Sequence, residues 1–102
     1  LVVDGTWCAT LTTDALAAGV DLALVREAPW ARASEAVWTL AQLRFRHQFT
    51  AWRTLDTDAP EPGIRELPAT KVLREAELAF ADALLERMRT LAKPRPYQVE
   101  LR

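Results

Sequence analysis

Cysteine, histidine, glycine, serine and lysine are scarce in this chain, and each scarcity removes a class of function. Among 102 residues there is one cysteine and one histidine. A lone Cys8 closes no internal disulfide and builds no zinc site, so the expected compartment is the cytoplasm. A lone His47 leaves no His-pair metal site and no Glu-x-x-His pair of the di-iron bundle type. The 3 glycines, Gly5, Gly19 and Gly63, are scattered, so no glycine-rich loop can cradle a phosphate. Ser34, the only serine, falls in a helical stretch rather than on a nucleophile elbow.

An excess of one charge is missing too. The formal net charge is −1, unlike the clearly basic balance of a nucleic-acid or membrane-surface binder. No apolar run is long enough to cross a bilayer. The longest apolar-rich piece, Ala15 to Val25, is interrupted by Gly19 and Asp21. Leu1-Val2-Val3 has neither the basic nor the apolar region of a signal peptide. The chain begins at Leu1 rather than Met, so residues that precede it in a longer protein lie outside this reading. Arginine greatly outnumbers lysine and alanine is abundant, a usage typical of GC-rich bacterial genomes.

What is present is apolar and helical. Half of the residues are hydrophobic (50%) and 26% are charged, as expected for one globular domain over residues 1–102. From Trp30 to Leu55 there is no Gly or Pro. Trp38, Phe45 and Trp52 recur at seven-residue intervals, with Ala41 and Phe49 on the turns between. A helix over that stretch is roughly 39 Å long, whereas a compact domain of about 100 residues has a radius of gyration near 13 Å. The helix is therefore expected to overhang its own domain.

The other elements follow from local signals. Residues 1–12 read as extended, with Asp4-Gly5 suited to a two-residue type I′ hairpin turn. Thr12 or Thr13 can cap a helix with Asp14 in its first turn, and Asp21 can restart one after Gly19, giving short helices over 13–27. Ala28-Pro29 marks the start of the long helix, over 29–55. The acidic, Pro/Gly-rich stretch Asp56 to Gly63 ends it, within a connector over 56–66. A second long helix spans 67–92, opened by Leu67-Pro68. Its apolar face is expected to be Val72, Leu73, Ala76, Phe80, Ala83, Leu84, Met88 and Leu91. Arg74 and Glu77 can pair along it, while Glu75, Glu77, Asp82 and Glu86 read as a solvated face. Pro94 and Pro96 open an extended tail over 93–102, in which Tyr97, Val99 and Leu101 alternate with polar residues, as an added β-strand or an extended arm would. The expected fold class is all-α: an antiparallel hairpin of two long helices plus short N-terminal helices, with a small β-hairpin before them and an extended tail after.

These residues assign no catalytic, cofactor or metal site. Asp56, Asp58 and Glu61 offer oxygen ligands but lack the glycine and the distal bidentate Glu of a calcium loop. Cys8 has only His47 as a candidate base. Residues Thr13 to Asp21 loosely follow the first helix and turn of a helix-turn-helix, but Leu22 to Ala28, the would-be recognition helix, offers only Arg26 for base contacts. Arg44, Arg46, His47 and Arg53 form a basic patch. The apolar arc of the first long helix is wider than one neighbouring helix covers. Trp30, Val37, Trp38, Phe45, Phe49 and Trp52, with Arg46 and Arg53, are the expected interface residues, since Trp and Arg are enriched at binding hot spots.

Two resemblances bear on this. Leu40 to Met88, with Ala69-Thr70-Lys71 opening the second helix, resembles the paired C-terminal helices of acyl-CoA dehydrogenases, without that family's flavin and substrate motifs. Leu43-Arg44, Phe49, Trp52-Arg53 and Leu55-Asp56-Thr57-Asp58, then a charged helix and the Val99-Glu100-Leu101 tail, are similar to the γ subunit of soluble methane-type di-iron monooxygenase hydroxylases. The second resemblance implies a non-catalytic helical subunit docked on a large hydroxylase and carries over no catalytic residue. The expected function is thus an accessory or interaction subunit without cofactor, bound to a larger protein subunit or to its own copies. A helical enzyme or ligand-binding domain and a degenerate helix-turn-helix regulator are the alternatives.

Overall fold

The structure is a computed structural model that describes residues 1–57 and 61–102; of Thr54, Asp56 and Thr57 it describes only the backbone. The chain opens with the hairpin that Asp4-Gly5 predicts. Both residues take positive φ, 50° and 78°, as a type I′ turn requires. Strands β1 (Val2–Val3) and β2 (Thr6–Trp7) flank the turn, with Val2 opposite Trp7 and Val3 opposite Thr6.

Of the two forms the tail's alternation allows, it takes the strand. Strand β3 (Val99–Glu100) pairs antiparallel with the other edge of β1, giving a sheet of order β2-β1-β3. The fold is therefore mostly helical with a small three-stranded antiparallel sheet, not purely α. Asp4 ties the two ends of the chain. Its carboxylate accepts from the Gln98 backbone N–H (2.9 Å) and from the Arg95 guanidinium (3.0 Å). Its own N–H donates to the Gln98 carbonyl at 2.8 Å. The Gln98 N–H, and then Arg95, hold the Asp4 carboxyl below its ordinary value of 3.8.

Helix α1 (Thr13–Ala18) is capped by Thr12, whose hydroxyl accepts from the Ala15 N–H at 3.1 Å, and ends at Gly19 with φ 95°. Asp21 then caps a single 3-10 turn, Leu22–Leu24, through the Ala23 N–H at 2.9 Å. That turn replaces the would-be recognition helix, so no helix stands there to enter a DNA groove. Leu1, Val3, Cys8, Val25 and Ala28 form the buried core, with Ala9, Leu11, Trp30 and Tyr97 packed against it. This core sits at one end of the molecule, under the sheet.

Two long helices leave that end. Helix α2 (Pro29–Phe49) starts with Pro in its first turn, as Ala28-Pro29 predicts. It stops being α-helical earlier than expected: Thr50–Thr57 continues as a π-helix. At that point the Thr50 hydroxyl donates to the Arg46 carbonyl at 3.0 Å. The expected connector is partly ordered as well, since α3 (Pro62–Arg65) forms a single turn within it. Helix α4 (Pro68–Ala92) matches the expected range.

Helices α2 and α4 pack side by side. His47, late in α2, meets Glu77 and Phe80 in the middle of α4, while Trp30, Ser34 and Val37, early in α2, share a recess with Leu91 near the end of α4. The face that α4 turns inward is not the one expected. Leu84 and Met88 do point in, but Val72, Leu73 and Phe80 are exposed, and the inward positions of the first half are Thr70, Arg74, Glu77 and Ala81. Counting back from Leu84 by threes and fours, the inward row runs through Ala81, Glu77, Arg74 and Thr70. The result is long and thin, 68 × 21 × 16 Å, with a radius of gyration of 21.4 Å.

Candidate interaction face on the first long helix

The seam between α2 and α4 determines what remains outside. On α2 the half-buried positions include Val37, Leu40, Arg44 and His47, and Ala51 beyond them is buried. At about 100° per residue, Trp38, Phe45 and Phe49 fall far to one side of that row. They lie in solvent: Trp38 is 65% exposed, Phe45 67%, Phe49 46% and Trp52 57%. Trp38, Ala41, Gln42, Phe45, Arg46 and Phe49 line one shallow recess along the helix. The rings are ordered among themselves. Phe45 and Phe49 have centroids 6.1 Å apart, Phe49 meets Trp52 edge-on at 6.3 Å, and the Arg53 guanidinium lies 5.1 Å over the Trp52 ring.

The expected interface set therefore divides. Trp38, Phe45, Phe49 and Trp52, with exposed Arg46, form the outer face. Trp30 and Val37 belong to the chain's own packing. The Trp30 indole N–H donates to the Leu22 carbonyl at 2.8 Å, and its ring meets Tyr97 edge-on at 5.2 Å. Arg53 is half-buried beside Trp52.

The basic patch divides as well. Arg46 points out, whereas Arg44 and His47 turn toward the seam. His47 Nδ1 pairs with the Glu77 carboxylate and its ring packs edge-on against Phe80 at 4.7 Å. Glu77 is thus a bridge between helices, not part of a solvated face. Arg44 Nε is buried with no hydrogen-bond partner among the described residues. The seam runs from apolar near the sheet, at Leu84, Met88 and Leu91, to polar at its far end. Sequence reasoning missed this. The signal was the row Thr70–Arg74–Glu77, in register with Leu84 and Met88.

The residues considered for chemistry in the sequence lie apart among the described residues. Cys8 is buried under the sheet, its thiol directed at the carbonyls of Thr6 (3.4 Å) and Glu27 (3.7 Å). His47 lies about 28 Å along α2 from Ala28, which shares the Cys8 core, so the two cannot act together. No group of three or more potential metal ligands occurs among the described residues. Asp58, one of the oxygen ligands considered for a cation, lies outside them. No helix among the described residues is long and apolar enough to cross a membrane.

Surface area gives the scale of what is left open. The chain exposes 7588 Å². A compact monomer of 11.5 kDa exposes about 5,800 Å². Comparison with family models, with curated proteins and with solved structures finds no match to this chain.

Proposed function

We propose that this chain is a non-catalytic helical interaction subunit whose docking element is the outer face of α2 and of the π-helical segment that continues it. The observation that carries the reading is the exposure of Trp38, Phe45, Phe49 and Trp52 as one continuous row. Four such rings left in water along one helix cost hydrophobic free energy that association recovers, several kcal/mol in all at about 25 cal/mol per Å². The scaffold is an antiparallel hairpin of α2 and α4, anchored at the sheet end, which holds the row away from the chain's own core. The resemblance to the γ subunit of di-iron monooxygenase hydroxylases points to a large oxygenase subunit as a partner of this kind.

The test is association measured by light scattering for the chain and for Trp38→Ala and Trp52→Ala. Each substitution should weaken association by about tenfold or more while leaving far-ultraviolet helix content unchanged, because neither ring supports the core. Loss of helix in step with loss of association would show that the rings serve folding instead.

A further inference from the structure

We propose that the recess where α2 begins and α4 ends binds a small aromatic monocarboxylate. It shares no lining residue with the recess on the outer face of α2, so it goes beyond the docking reading. The recess holds about 490 Å³, within the range of about 300–1,000 Å³ in which small-molecule clefts fall. Short side chains keep its middle open: Ala33 and Ser34 on α2, Ala92 and Pro94 where α4 gives way to the tail. Its aromatic wall, Trp30 and Tyr97, is already fixed. The Trp30 indole N–H is held by the Leu22 carbonyl at 2.8 Å, and its ring meets Tyr97 edge-on. The Arg95 guanidinium lies 4.1 Å from the Tyr97 ring centroid and is itself held by Asp4 at 3.0 Å. Rings held in this way lose little freedom when a ligand ring packs on them.

Charge and hydrogen bonding select the ligand. Lys93 and Arg95 line the recess and no Asp or Glu does, although the chain as a whole carries −1. Arg95 is matched by Asp4. Lys93 makes no ion pair among the described residues. One unmatched ammonium beside apolar walls suits one carboxylate, whereas a cation is repelled and a polyanion keeps charge unmatched. The Ser34 hydroxyl donates its proton to the Trp30 carbonyl at 2.9 Å, so toward a ligand its oxygen can only accept. A ring N–H or phenolic O–H meets that need and an alkyl chain does not. The ligand class is therefore an aromatic acid with a donor on its ring, not a fatty acid.

The test is titration of the isotope-labelled full chain with indolepropionate, its neutral amide and octanoate, followed by two-dimensional NMR. Indolepropionate should move the Trp30 indole signal and the Ala33 and Ala92 amides, and saturate with a Kd of about 1 mM or below. The amide, which keeps the shape without the charge, should bind about tenfold more weakly. Octanoate, which keeps the charge without ring or donor, should bind at least about fivefold more weakly. Lys93→Gln should reduce indolepropionate to the affinity of the amide, and Ala33→Leu, which fills the recess, should abolish binding. Lys93 is exposed, so its substitution leaves the fold intact and decides the matter if Ala33→Leu disturbs the packing. Shifts that do not saturate, or that fall on Trp38 and Phe45 and spare Trp30, overturn the inference. So does equal affinity for the amide or for octanoate, or unchanged affinity in Lys93→Gln. None of these results bears on the outer face of α2, whose own test is association.

Discussion

Asp4 shows how much one residue can organise at the edge of a small fold. Its backbone turns the hairpin, and its carboxylate joins the first strand to the last through the Gln98 N–H and Arg95. The turn was legible in the Asp4-Gly5 pair. The second role was not, because a carboxylate that ties together residues more than ninety positions apart leaves no local pattern. Since those donors lower its pKa below 3.8, the folded state binds the Asp4 proton less readily than the unfolded state. The stabilisation is complete above that value and is lost as pH falls through the lower folded value. A two-dimensional NMR titration of the Gln98 amide should therefore show a midpoint below pH 3.8. A midpoint at or above it would mean that Asp4 does not hold the tail strand.

At the scale of elements, the starts of the long helices were read well, while the end of the first and the helix faces were not. Pro29 and Pro68 marked both long-helix starts because proline acts locally. On α4, apolar Leu73 and Phe80 stand one position from Arg74 and Ala81, about 100° round the helix, and their apolarity favoured them for the inward face. Leu84, Met88 and the pairing of His47 with Glu77 decided otherwise. Arg44 Nε goes unpaired in the polar part of the seam, whereas His47 and Glu77 join the helices there. His47→Ala should destabilise the chain by about 1–3 kcal/mol in denaturant unfolding, since it strips Glu77 of its partner. Replacing both residues together, His47→Leu with Glu77→Leu, should recover most of that loss, because an apolar pair of similar volume has no charge to desolvate. If the double substitution is no better than the single one, the pair contributes through geometry rather than through charge.

For the whole molecule, the sequence indicated that a long aromatic helix would outrun a compact domain; the molecule is extended, with a radius of gyration of 21.4 Å, and α4 runs alongside that helix. Which rings stay outside was only partly visible. Trp30 and Val37 looked like the rest of the stripe but are taken up by Tyr97, Leu22 and the end of α4, contacts that depend on where the tail returns. On the docking reading, a chain with so small a core and so large a surface should draw stability from association. Its melting temperature should then rise by about 3–6 °C for each tenfold increase in concentration, and a concentration-independent value would contradict this. The most direct test of the docking face is hydroxyl-radical footprinting of the tryptophans, read by mass spectrometry in the dilute chain and in its associated state. Trp38 and Trp52 should be oxidised readily when dilute and protected on association, while Trp7, exposed on strand β2, stays reactive in both. Protection of Trp38 and Trp52 in the dilute chain, or full reactivity in the assembly, would contradict the account.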